Sequence, residues 1–162
     1  MPTRARRLRS GRILTIRALG YVDVETVGAL FDRLGEPSRR LRFNGAKPRL
    51  AAVELLAAVD ETRHVLVGYL EGDERPAGIA RLVRDGSSAE LAFEVADEHH
   101  RLGIGSALTA ELLADARAAG IREVTSLVAA ENAAAIGLLR RLLGRLEVTF
   151  EGSERSIRAA LS

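Results

Sequence analysis

The sequence predicts an α/β (α+β) domain with one mixed, mostly antiparallel sheet and helices on its faces, in the order β-α-α-β-β-β-α-β-α-β-β. Three observations carry this. Ala89 to Val95 alternates: Leu91, Phe93 and Val95 point one way and Glu90, Ala92 and Glu94 the other, the period of two that a strand produces. Beyond a polar turn, Ile104, Ala107, Leu108, Leu112 and Ala116 recur at helical spacing. Before it, Asp85-Gly86 is a hairpin signal. The chain is therefore an antiparallel meander followed by a βαβ crossover.

The elements follow in order. Residues 1–11 are expected to be a disordered basic arm, and a single domain to occupy 12–162. Ile13 to Ala18 alternates as a first strand. Val24 to Leu34 reads as a helix capped by Asp23, with Val27, Leu30, Phe31 and Leu34 on one face; Gly35 and Pro37 end it. Residues 36–49 are a loop or a short helical piece, and Leu50 to Val59 is a second helix. His64 to Leu70, Gly78 to Val83 and Ala89 to Val95 are the next three strands. Gly103 to Ala119 is a helix closed by Gly120. Glu123 to Ala129 is a strand, Asn132 to Leu143 a helix, and Leu146 to Phe150 and Ser156 to Leu161 the last two strands.

Composition excludes several kinds of chemistry. There is no cysteine, so disulfides, a thiolate nucleophile and Cys-ligated metals are ruled out. No apolar run approaches the ~18 residues that a spanning helix needs. The charged N-terminus lacks the apolar segment of a signal peptide, and a cytoplasmic protein is expected. Net charge is only +2; Lys47 is the sole lysine, and the arginine and alanine richness reads as coding bias. Arg4, Arg6, Arg7, Arg9 and Arg12 cluster, but no interleaved aromatics support base stacking, so nucleic acid is not the expected partner.

The loop between strand and helix carries the chemistry. Amides at the start of a helix lack intrahelical partners, and the dipole makes that end positive. Glycines at 103 and 105 permit close backbone approach, and Arg101 adds a cation, which together make a phosphate site. A Walker A loop is absent because no lysine follows the glycines, and a Rossmann fingerprint fails because position 108 is Leu. A glycine-softened helix start accounts for the same residues without a ligand.

His100-Arg101-Leu102-Gly103-Ile104-Gly105 resembles the pyrophosphate loop of the GNAT N-acetyltransferases, Gln/Arg-x-x-Gly-x-Gly/Ala, with histidine as a departure at the first place. The element order is also similar to that fold over 12–162, with its sheet splayed between the fourth and fifth strands. Asn132 to Leu139 resembles the family's Asn-x-x-Ala-x-x-Leu-Tyr, with Leu139 where the tyrosine, often the general acid, would stand. Arg42-Phe43, Lys47-Pro48 and Asp60 to His64 look like Pat-type bacterial protein lysine acetyltransferases. Some of these carry a fused cyclic-nucleotide domain, for which this chain has no room.

The resemblance implies acetyl transfer from acetyl-CoA to a primary amine, a protein lysine foremost. Small amines or protein N-termini stay open as acceptors, as does a non-catalytic acetyl-CoA sensor. It implies cofactor contacts from Phe93, Val95, His100, Arg101, Leu102, Gly103, Ile104, Gly105, Ser106 and Asn132. Asn132 also reads as an N-cap, which needs no ligand. Glu90 is the expected general base, its pKa raised by partial burial, and Glu94, on the same face, is the second candidate. Adjacent His99 and His100 point apart, and no metal is expected; His64 reads as a satisfied strand-start histidine. A homodimer follows by family analogy alone.

Overall fold

The structure is a computed structural model in which residues 3–18, 63–95 and 103–161 are described. The expected helices at 24–34 and 50–59, the loop at 36–49, and His99, His100, Arg101 and Leu102 lie outside the described residues. The strands are β1 (Arg4–Arg7), β2 (Ile13–Ala18), β3 (Arg63–Leu70), β4 (Gly78–Asp85), β5 (Ser88–Val95), β6 (Glu123–Ala129), β7 (Glu147–Glu151) and β8 (Glu154–Ala160). The helices among the described residues are α1 (Ile104–Ala118), between β5 and β6, and α2 (Ala133–Leu143), between β6 and β7. The eight strands of the described residues form one sheet in the order β1-β2-β3-β4-β5-β6-β8-β7. Every neighbouring pair is antiparallel except β5 and β6, which the α1 crossover makes parallel.

Strand alternation divides the sheet into two faces. On one, Leu14, Ile16, Leu66, Leu70, Leu82 and Leu91 pack with Ile104, Leu108 and Leu112 of α1, and the three helix residues are at most 1% exposed. This one-sided stripe is what places α1 across the strands. Its last turn closes as expected from Gly120, with Ile121 N–H donating to the Ala116 carbonyl at 3.0 Å. The opposite face carries Glu90, Ala92 and Glu94 on β5, with Val83, Arg81 and Ile79 as their β4 partners in register.

One element departs from the sequence expectation. Residues 4–7 are not a free arm: they form β1, paired with β2 from Arg4↔Ile16 to Arg7↔Ile13. The turn between them is closed by Leu8 N–H to the Arg12 carbonyl at 2.9 Å, and Leu8 is buried. The arginines alternate with the strand. Arg4 reaches across to α1, donating to Glu111 Oε2 at 2.9 Å and to both carboxylate oxygens of Asp115 at 2.9 and 3.1 Å. The hydrogen bond to Asp115 raises the Arg4 pKa further, against the opposing effect of burial. His64 Nε2 lies 2.8 Å from Asp115 Oδ2 on the same flank. Composition counted these arginines as solvated charge; their period of two, against acids one helical turn apart, is what fixes them.

Replacing Arg4 with Ala is expected to lower unfolding free energy by about 1 kcal/mol, the upper range for a partly exposed ion pair held in two-point geometry. Denaturant midpoints for Arg4→Ala, Asp115→Ala and the double variant at low and high salt check this. A coupling energy indistinguishable from zero contradicts the clasp.

Candidate functional site

The sheet is continuous except at one seam. β5 and β6 pair at Ser88↔Glu123, Ala89↔Val124 and Glu90↔Thr125, and no pair follows, although β5 continues to Val95 and β6 to Ala129. On its other edge β5 stays paired with β4 up to Val95↔Gly78. The strands therefore fork after Glu90, between the two strands the sequence reading named but earlier than the Phe93 to Val95 stretch it indicated. The Leu91 carbonyl accepts the buried Ser126 hydroxyl at 2.8 Å and so points towards β6. Backbone groups of alternate residues point the same way in a strand. Those of Phe93 and Val95 are thus aimed into the fork.

The first turn of α1 stands at the mouth of this fork. Gly103, its N-cap, has φ 83°, a conformation that favours glycine, and its carbonyl starts the helical ladder by accepting from Ala107 N–H at 3.0 Å. Among the described residues no side chain caps the helix and no acidic residue stands in its first turn, so the positive end at Ile104, Gly105 and Ser106 has no acidic partner there. Gly105 also has a packing role that its sequence context does not suggest. A Cβ there would meet Leu138 Cδ1 at 3.3 Å and Val95 Cγ2 at 3.4 Å. Its lack of a side chain lets α1 close on β5 and α2, and it is this contact that brings the helix start to the fork.

A cation stands at the same place. Arg141 of α2 donates from Nη2 to Ser106 Oγ at 3.1 Å. A guanidinium beside an uncapped helix N-terminus puts like charges together, an arrangement that an anion between them would reverse. Sequence reasoning missed Arg141, because a basic residue in the last turn of a helix reads as a dipole complement.

Asn132 is the N-cap of α2, its Oδ1 accepting from Ala135 N–H at 3.1 Å. The capping reading thus holds at this position. Leu139 is completely buried, so the place of the family's tyrosine belongs to the core. Tyr69 lies on β3, separated from β5 by β4, and its hydroxyl accepts from Arg17 at 2.9 Å. Tyr21 lies outside the described residues.

The two carboxylates divide differently from the expectation. Glu90, at the last rung of the ladder, is exposed, while Glu94 is buried at 7%. The premise of partial burial therefore fails for Glu90. Both lie on the face opposite α1, with Thr125 across the ladder from Glu90, and the Arg158–Glu123 pair at 3.6 Å beside it. His64 faces α1 and is engaged by Asp115. Among the described residues no group of His, Asp or Glu side chains is arranged to hold a metal, and no helix is long and apolar enough to cross a membrane.

Comparison with known proteins matches this geometry. The sequence pattern of the acetyltransferase (GNAT) family fits residues 32–144. The acetyltransferase Pat of Mycolicibacterium smegmatis is 31% identical over 144 residues, which are 86% of this chain and 42% of that protein. The acetyltransferase PA5475 of Pseudomonas aeruginosa is 30% identical over 136 residues, 78% of this chain and 72% of that one. The GNAT domain of S. lividans PAT superposes with a TM-score of 0.87 at 25% identity, covering 98% of this chain and 97% of that domain. The chain thus spans less than half of the mycobacterial relative.

Asn132→Ala is expected to cost about 1 kcal/mol of stability, as loss of an N-cap does, with Asn132→Asp retaining most of it. Thermal and denaturant unfolding of the two variants measure this. Equal losses in both contradict a capping role.

Proposed function

This chain belongs to the acetyltransferase (GNAT) family, and on that premise we propose that it moves an acetyl group from acetyl-CoA to a primary amine, foremost a protein lysine side chain. The observation that carries the reading is the fork between β5 and β6 with the uncapped start of α1 and Arg141 at its mouth. A pyrophosphate suits the helix start, and an extended amide chain suits the edge of β5. In this proposal Ile104, Gly105 and Ser106 hold the pyrophosphate through their amides, Arg141 adds charge, and the Phe93 and Val95 backbone aligns the pantetheine arm. His100, Arg101 and Leu102 precede that turn in sequence and complete the proposed loop. Asn132, at the start of α2, is proposed to keep its capping bond while its amide nitrogen serves the cofactor.

The chemistry then divides between the faces of the sheet. The thioester enters with the cofactor from the α1 side, and the amine approaches from the Glu90 side. A lysine amine with an ordinary pKa of about 10.4 is neutral in only about one molecule in 10³ at pH 7. Glu90 is proposed to take its proton, directly or through water, as the nitrogen attacks the thioester carbon. The Val95 amide is proposed to hold the developing oxyanion. Collapse breaks the carbon–sulfur bond and releases the coenzyme thiolate and the acetylamine. Leu139 has no proton to give, so the thiolate takes one from solvent. The absence of that acid favours a second reading, an acetyl-CoA-binding sensor without turnover.

Thiol release from acetyl-CoA, followed with lysine-bearing proteins and small amines, tests the proposal. Glu90→Gln is expected to lose on the order of 10²-fold in rate with coenzyme A binding retained. Undiminished turnover in that variant contradicts Glu90 as base and moves the role to Glu94. Tight binding without turnover of any amine favours the sensor.

A further inference from the structure

The hydrogen bond at the root of the fork draws attention to Ser126. With Glu90 opposite Thr125, a parallel ladder carried one step further would give the Leu91 carbonyl the backbone N–H of Leu127. Instead that carbonyl accepts the Ser126 hydroxyl at 2.8 Å. Ser126 is buried, 6% exposed, so water does not compete for the contact. A buried carbonyl left without a donor is costly, and the chain has two ways to supply one: zip the strands together, or use a side chain. Ser126 takes the second way.

We propose that Ser126 is the positioning residue of the acetyl-CoA cleft: its hydroxyl replaces the next ladder bond and so keeps β5 and β6 apart beyond Glu90. This rests on the reading of the fork as the acetyl-CoA site. The Leu127 N–H, relieved of Leu91, then faces the cleft together with the backbone of Phe93 and Val95. Ser126 does not itself touch the reacting atoms. Its side chain lies on the α1 face of β6, with Val124 and Val128, opposite the face that carries Glu90 and Thr125.

The test compares wild type, Ser126→Ala and Ser126→Thr, with acetyl-CoA binding by calorimetry, steady-state constants for both substrates, and hydrogen exchange of the free protein. Alanine removes the donor and nearly preserves volume; threonine keeps the hydroxyl and suits a strand. Expected for Ser126→Ala is a Kd and KM for acetyl-CoA raised about tenfold, the size of one net hydrogen bond. The acceptor KM stays within about twofold, Leu127 N–H exchange slows as the strands close, and Ser126→Thr restores wild-type values. If wild type fails to bind acetyl-CoA, the functional reading itself falls. If wild type binds and Ser126→Ala binds equally well, or merely melts earlier with unchanged Kd, the positioning role is overturned.

Discussion

The proposed acetyl-CoA site depends on the parallel ladder between β5 and β6 stopping after three rungs. A sheet gains from pairing every edge, and both strands are long enough to continue. They do not, because other contacts are satisfied by parting. Ser126 takes the carbonyl that the next rung would need. The bare backbone of Gly105 lets α1 wedge against Val95 and Leu138 where the strands diverge. On the far side, β5 remains anchored to β4 along its whole length. One strand edge is thereby opened inside an otherwise continuous sheet, and a helix start is brought to the opening.

The two ends of α1 show how charge is arranged around that opening. Among the described residues its N-terminus is uncapped and has Arg141 beside it, two positive contributions at the mouth of the fork. Asp115 stands in its last turn, where the helix dipole disfavours acids, and Glu111 lies one turn before it. Arg4, Arg6 and His64 meet them from β1 and β3. Among the described residues the N-terminal end meets no acid, while the opposite end is neutralised by Arg4, Arg6 and His64. The N-terminal strand is part of the same device, since Arg4 reaches Asp115 only when β1 is paired with β2.

Much of this was legible in the sequence. The alternation of Leu91, Phe93 and Val95 and the stripe of Ile104, Leu108 and Leu112 fixed β5 and α1, because burial on one face imposes those periods. The start of α2 was readable from Asn132, since capping is local. β1 was hidden because its residues are arginines, whose charge suggested solvent; their partners lie more than 100 positions away. Arg141 and Ser126 were hidden for the same reason. Ser106 and Leu91 each stand 35 positions from their partner, and no local pattern links such residues. The burial of Glu94 rather than Glu90 also depends on packing across the sheet, which alternation alone does not reveal.

The measurement that bears most directly on the fork as a cofactor site is amide hydrogen exchange with and without coenzyme A. The account predicts slowed exchange at Phe93 and Val95 and at Ile104, Gly105 and Ser106, with the edge strand Glu147–Glu151 unchanged. Coenzyme A binding that leaves the β5 and α1 amides exchanging as before, or that protects a different surface, would contradict it.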